Sequence, residues 1–355
     1  MARERDVGLL NVTDVFNATS PTGGPEADDV STTIKDIIMK GFYVTIASLG
    51  ILGNAVVLVV LLGLTKMRKR MTSVFIINQS VIDALTAVFL LLTTMLPSDG
   101  RIYRTIADDL FCRLWVTRLP LWLCLHCSTY NLVALTVERY LSVVHPIHHK
   151  TSFNRLKALL MVAGTWTFAV VYDVGGTIPV AYSMDGVCKL YMYETKSAMR
   201  GVGIMGACIN YFIPITILVY CYSRMAYSLR SKVSPSSGSV DGETQNRQIN
   251  TTKARAKMNV IKTLAVVSTA FILCVSWNQW FFFLFNFGVF DFRALNSTFY
   301  HFSVVAMFAN CCVNPFIYTA QYEEFQKGLK KIFTKRKGFG APTTSDINSS
   351  MTSHQ

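Results

Sequence analysis

Residues 294–321, ALNSTFYHFSVVAMFANCCVNPFIYTAQ, run for 28 positions without an Asp, Glu, Lys or Arg, and they close on Asn314-Pro315-Phe316-Ile317-Tyr318. A helix needs about 20 apolar residues to cross a bilayer core. The same absence of charge marks residues 41–64, 119–137, 201–223 and 263–290. Two further stretches carry one charge each: 74–96 holds Asp83 and 158–182 holds Asp173. That makes seven spans. Uninterrupted apolar runs exclude a membrane barrel, whose strands would alternate apolar and polar residues. The expected fold is therefore an all-α membrane protein, a seven-transmembrane helix bundle. Composition agrees: of 355 residues 51% are hydrophobic and 15% charged, where a soluble domain carries about 25% charged.

Lysine and arginine orient the spans. Lys66, Arg68, Lys69 and Arg70 follow the first span, and Lys150, Arg155 and Lys157 follow the third. Seven basic residues from Arg224 to Lys257 separate the fifth and sixth, and six from Lys327 to Lys337 follow the seventh. The first forty residues hold four basic and seven acidic side chains. This bias places the N-terminus outside and the C-terminus in the cytoplasm. The formal net charge of +13 then reflects topology and attraction to anionic membrane lipid. No nucleic-acid partner is expected, because no basic patch sits on a soluble domain.

Three regions follow. Residues 1–36 form a polar outer tail without an apolar signal segment, leaving the first span as insertion signal. Sequons at Asn11 and Asn17, and a third at Asn296, mark it and the last outer loop for glycosylation. Residues 37–334 form the bundle, ending in a juxtamembrane stretch where Phe325, Leu329, Ile332 and Phe333 recur at helical spacing among lysines. That pattern describes an amphipathic helix on the membrane surface. Residues 335–355 form a cytoplasmic tail that, like the Ser/Gly-rich loop 231–252, has little to bury and is expected to be disordered. Seven of nine cysteines fall inside spans. Cys112 and Cys188 lie on the oxidising side, where a disulfide between them is expected.

These spans, this cysteine pair and one motif per span resemble a rhodopsin-like (class A) G-protein-coupled receptor of the peptide-receptor type. The carrying residues are Gly53-Asn54, Ser80 to Asp83, Glu138-Arg139-Tyr140, Trp166, Pro214 with Tyr222, Phe271 to Cys274, and Asn314 to Tyr318. The resemblance implies a plasma-membrane receptor, not an enzyme, that binds an extracellular ligand and activates heterotrimeric G proteins. It implies an activation switch at Glu138, Arg139, Tyr140, Tyr222, Asn314, Pro315 and Tyr318. Arg139 would swing out to the G protein while Tyr222 and Tyr318 move in to support it. It also implies an allosteric sodium ion among Asp83, Ser128, Asn310 and Asn314, with no other cofactor; the alternative is a hydrogen-bonded carboxylate without an ion. Tail hydroxyls from Thr343 to Ser353 would serve a receptor kinase and arrestin, or simply form a polar tail.

The chain also departs from that pattern. Members of this family often restrain the arginine with a carboxylate at the inner end of span six; here that position is Lys257. Span six usually reads Cys-Trp-x-Pro, but Cys274 is followed by Val275-Ser276-Trp277-Asn278. No proline kinks it. Trp277 stands two residues late, about 200° around the helix. Cys112 lies 27 residues before Arg139, two more than usual, with Pro120 between; a bulge or kink near Pro120 would absorb the excess.

The outer half supplies the expected ligand pocket: Arg118, Trp122, Asp173, Trp277, Trp280, Tyr300 and His301. Arg118 and Asp173 are costly at depth unless paired, so they are expected to meet each other or a charged ligand group. His126 is expected to be hydrogen-bonded core. Aromatic lining with few polar anchors suits a peptide, or alternatively a lipid or other hydrophobic small ligand. Residues 114–137 contain no carboxylate for an amine, and residues 294–321 contain no lysine for retinal. A transporter would show a repeated half with broken helices, and an enzyme would show a nucleophile with its base or clustered metal ligands. Neither is visible.

Overall fold

A computed structural model describes residues 27–68, 70–96, 102, 104–184, 186–189, 195–233, 244–290, 294 and 297–337. The sequons at Asn11, Asn17 and Asn296 and the tail hydroxyls lie outside the described residues. So does the side chain of Lys257, although its backbone is helical.

Seven long helical segments follow one another. They are Ala27–Gly63, Met71–Met95, Leu119–Val144, Arg155–Thr177, a fifth running from Lys196–Ala207 through to Ile213–Val233, Thr244–Asn286, and Thr298–Gln321. Six contain segments long and apolar enough to cross a membrane. Leu119–Val144 is the more polar exception, with His126, Asn131, Glu138 and Arg139. At 26 residues it is about 39 Å long, enough to span. It packs against spans two, four, five and six, so its polar groups meet protein instead of lipid. Polar side chains cap the helices where the sequence supplies them: Asn154, Thr195 and Ser297 each accept the backbone N–H three residues ahead.

The two largest apolar clusters lie at different levels of the bundle. One gathers Val57, Leu61, Phe75, Leu132, Leu135, Leu264, Phe271 and Tyr318 near the Arg139 end. The other gathers Ile46, Ala87, Leu90, Leu121, Met307 and Phe308 nearer the disulfide. Leu52, Val59, Leu160, Val171, Val219, Leu273 and Phe316 remain exposed on the outer faces, as lipid contact requires.

The amphipathic helix is Glu323–Lys337. Phe325 is buried in the first core, with Leu329 and Ile332 against it. A Cβ on Gly328 would stand 2.8 Å from a Leu64 methyl carbon, so a larger residue here would make the side chains at the end of span one shift. Gln326 donates to the carbonyls of Thr319 and Ala320 at 2.9 and 3.0 Å, covering orphan groups at the end of span seven.

The expected irregularity before Pro120 is present and has two parts. Cys112–Val116 forms a π-helical turn, which takes an extra residue per turn. Arg118 then adopts φ 57°, the only positive φ at a non-glycine among the described residues. Leu119–Val144 starts afresh behind it, with Pro120 in its first turn, where a missing N–H costs nothing. Arg118 therefore sits at a helix junction, not inside span three.

Candidate functional site

At one end of the bundle, Glu138 is fully buried and grips its neighbour. Arg139 Nε donates to Glu138 Oε2 at 2.6 Å and Nη2 donates to Oε1 at 2.5 Å, a two-pronged charge-assisted pair. His149, from the short helix Pro146–Ser152, lies 3.0 Å from the same Oε1 and stacks on Phe153. Tyr140 lies beside Tyr220 and 3.4 Å from His145. Neither tyrosine expected to assist Arg139 is hydrogen-bonded to it. Tyr222 Oη is 3.0 Å from Ser268 Oγ and 3.4 Å from Thr136 Oγ1. Tyr318 is buried, and its hydroxyl has no hydrogen-bond partner.

Span six is tied down at this end without a carboxylate of its own. Asn259 Nδ2 donates to Glu323 Oε1 at 2.6 Å, and Thr263 Oγ1 donates to the Gln321 carbonyl at 3.3 Å. Both contacts hold it to the junction between span seven and the amphipathic helix.

Asp83 lies mid-bundle, 1% exposed. Asn314 Nδ2 donates to its Oδ2 at 2.8 Å. Ser128 Oγ donates to its Oδ1 at 3.2 Å, and Gln79 Nε2 donates to the same oxygen at 3.0 Å. Gln79 also reaches Ser128 Oγ at 2.5 Å. Asn310 is buried one turn from Asn314. A sodium ion held by these residues would need their oxygens turned toward one point. Here N–H and O–H groups are aimed at both carboxylate oxygens, and an amide bridges Asp83 and Ser128. The donor set does not fit a cation.

Pro315 lies within span seven and cannot donate to Cys311, four residues before it. Asn54 Nδ2 donates to that Cys311 carbonyl at 2.8 Å. Spans one and seven approach closely here: a Cβ on Gly53 would lie 3.0 Å from the Pro315 ring.

At the opposite end, Cys112 and Cys188 form the expected disulfide. Cys188 belongs to an antiparallel hairpin, Tyr182–Met184 with Val187–Lys189, turned at Gly186 with φ +76°. Asp109 Oδ1 accepts the Ser183 N–H at 2.7 Å, while its Oδ2 takes Arg113 Nε at 2.7 Å. The hairpin is thus pinned beside its disulfide. The Ser183 N–H, reinforced by Arg113, holds the Asp109 carboxyl below the usual carboxylate range.

The expected pairing of Arg118 with Asp173 is corrected. Asp173 Oδ1 meets His126 Nδ1 at 2.8 Å, and its Oδ2 has no hydrogen-bond partner. Arg118 is at the junction above Pro120, so its side chain leaves from a different height. The partner of Asp173 is the histidine expected to be core.

The aromatic lining divides. Trp122 and Tyr300 pack on the core nearer the disulfide, with Tyr300 5.0 Å from Phe281 and 5.6 Å from His301. Trp277 and Trp280 are 45% and 44% exposed, on the same outward face as Leu273. Trp277 contacts Phe299 and Phe302, and Trp280 contacts Tyr211, Phe212 and Phe283. Neither tryptophan lines the interior, as the 200° offset requires. Val275 and Asn278 take the inward face, with Asn278 Nδ2 3.3 Å from Ser303 Oγ.

The family model for the 7 transmembrane receptor (rhodopsin family) matches residues 53–318. The chain belongs to that family. Galanin receptor 2b of Danio rerio is 25% identical over 312 residues, covering 84% of this chain and 75% of the relative. Somatostatin receptor type 5 of Bos taurus is 26% identical over 315 residues, covering 86% and 78%. C-C chemokine receptor type 8 of Homo sapiens is 25% identical over 348 residues, covering 93% and 88%. The chain is thus a multi-pass membrane receptor and not an enzyme.

Several groups in this receptor went unnoticed in the sequence. Gln79 could have been found, because it lies four residues before Asp83 and shares its helix face. Asn78 and Asn131, each a polar group in an apolar run, extend the same network to Trp166, which the sequence had singled out only as a family motif. The π-helical turn Cys208–Phe212 in span five has no such signal. Its Ile209 carbonyl is satisfied by Tyr130 Oη at 2.7 Å. Ser276 was readable only as a small residue. In the structure its Oγ donates to the Ile272 carbonyl at 2.5 Å and lies 2.8 Å from Tyr211 Oη.

Proposed function

We propose that this receptor binds an extracellular peptide through its disulfide end and activates heterotrimeric G proteins through its Arg139 end. The N-terminus would face outward at the plasma membrane and the C-terminus would be cytoplasmic, in keeping with the lysine and arginine bias of the loops. The observation that carries the reading is the Glu138–Arg139 clamp, with Tyr222 and Tyr318 turned to other surroundings. An unpartnered buried hydroxyl costs about 1–3 kcal/mol. A second conformation in which Tyr318 gains a polar partner would recover that energy. The resting arrangement described here and an active one with Arg139 released form the two states a ligand can bias.

A peptide ligand is supported by the names of the relatives, galanin, somatostatin and chemokine receptors. The pinned hairpin at the mouth offers backbone and polar contacts beyond an apolar pocket. Arrestin and a receptor kinase would act on the tail hydroxyls, with membrane lipid around the spans. Cells expressing the receptor without added ligand, assayed for G-protein dissociation beside Arg139→Ala, test the coupling. Basal signal abolished by the substitution is the expected result; a signal equal in both would sink the role of Arg139. Peptide pools against lipid pools on the same cells then test the ligand class, and activation by lipids alone would refute the peptide reading.

A further inference from the structure

We infer that the receptor carries an amide of its own where a cation would bridge Asp83 and Ser128, so that its mid-bundle carboxylate is balanced without sodium. The group is the side chain of Gln79. Its Nε2 lies 3.0 Å from Asp83 Oδ1 and 2.5 Å from Ser128 Oγ, while those two oxygens are 3.2 Å apart. An ion joining the same oxygens could not approach them from the side that this nitrogen fills. The two amide protons go to the two oxygens, which is all that an NH2 group can give.

The amide is not free to swing aside. Gln79 is 3% exposed, and its Oε1 accepts from Asn131 Nδ2 at 2.8 Å. Asn131 is itself buried, donating also to the Phe75 carbonyl at 3.0 Å and accepting from Asn78 Nδ2 at 2.8 Å. Asn78 accepts from Trp166 Nε1 at 3.0 Å. The bonds therefore run in one direction, from Trp166 through Asn78, Asn131 and Gln79 to Asp83. Such a chain polarises each successive donor toward its terminus. Its positive end falls on the carboxylate. Turning Gln79 away to admit a cation would leave one Asn131 amide proton without its acceptor and break the relay between spans four, two and three.

Asn314 supplies the remaining donor to Asp83 from span seven, so three protein donors serve one buried carboxylate. The same relay makes Trp166, at the far side of span two, part of the balance at Asp83.

The test compares thermal unfolding of the purified full-length receptor in sodium chloride and in choline chloride at equal ionic strength. Wild type should unfold at the same temperature in both. Gln79→Leu, which removes the NH2 group, should gain a sodium-specific rise of about 2–4 °C, abolished by adding Asp83→Asn. Gln79→Glu keeps the shape and replaces the two protons by oxygen, and it too should become sodium-dependent. A sodium-specific rise in wild type that Asp83→Asn removes would overturn the inference, and this holds even if neither Gln79 variant folds. Folded Gln79→Leu and Gln79→Glu receptors that both ignore sodium would overturn it equally.

Discussion

The side-chain amide of Asn54 in span one donates at 2.8 Å to the backbone carbonyl of Cys311 in span seven, the carbonyl that Pro315 leaves without its helical partner. A freed carbonyl in a membrane interior must find another donor, and Gly53 provides the closeness that lets Asn54 reach it. Asn54→Leu should leave this buried carbonyl unsatisfied and lower stability by about 1–3 kcal/mol. Asn54→Val, which likewise has no proton to give, should be no better. Thermal unfolding of the purified variants measures both; an unshifted Asn54→Leu would show that the carbonyl is served some other way.

Span six lacks a proline, and Ser276 supplies a contact of the kind that loosens a helix. Its hydroxyl bonds the Ile272 carbonyl, a back-bond that competes with the helix ladder and favours bending. Tyr211, in the π-helical turn of span five, bonds the same hydroxyl. Ser276→Ala and Tyr211→Phe therefore remove one shared interaction. Their double-mutant cycle in thermal unfolding should give a coupling of about 0.5–1.5 kcal/mol, and additive effects would mean that the two groups act separately.

The seven spans were legible because apolar runs without charge have few other uses, and the disulfide because two cysteines alone lay outside them. Asp83 and Arg139 were legible because charge at depth is rare. What the sequence withheld was direction. Arg118 stands eight residues before His126, about 12 Å of helix rise, so it would miss the depth of Asp173 even in an unbroken span three. The π-helical turn and the left-handed Arg118 break the helix there as well. Trp277 and Trp280 were expected to line the pocket and instead face outward, although for Trp277 the offset of about 200° already argued against the interior. Gln79 was passed over because a glutamine in a span reads as a tolerated polar residue until its partners are known.

Asp109 offers a titration at the disulfide end. Its carboxyl is held below the usual range by the Ser183 N–H and Arg113, so its contribution to holding the hairpin is fully present above the unfolded value of about 3.9. It is lost as pH falls through the lower folded value. Hydrogen exchange of the 182–189 hairpin should therefore be faster in Asp109→Asn than in wild type at pH 7. The difference should vanish only under strongly acid conditions. A gap that closed between pH 8 and 6 would point to some other group.

The tie between Asn259 and Glu323 bears on basal activity. With Lys257 at the position where a restraining carboxylate is often found, span six is held at this end by Asn259 on Glu323 and by Thr263 on Gln321. The Asn259 bond is exposed, so its strength is modest, about 0.5–1 kcal/mol, equivalent to a two- to five-fold change in the resting equilibrium. Glu323→Ala should raise ligand-independent G-protein signalling by that few-fold factor, and Asn259→Ala should do the same. The double substitution should add nothing to either, because one bond is lost in all three. Lys257→Glu should lower the signal by restoring a carboxylate at the position where members of the family often carry one. Equal basal signalling in wild type, Glu323→Ala and Asn259→Ala, at matched surface expression, would remove this tie from the account of the resting state. The buried Glu138–Arg139 clamp would then be left as the restraint on that end of the bundle.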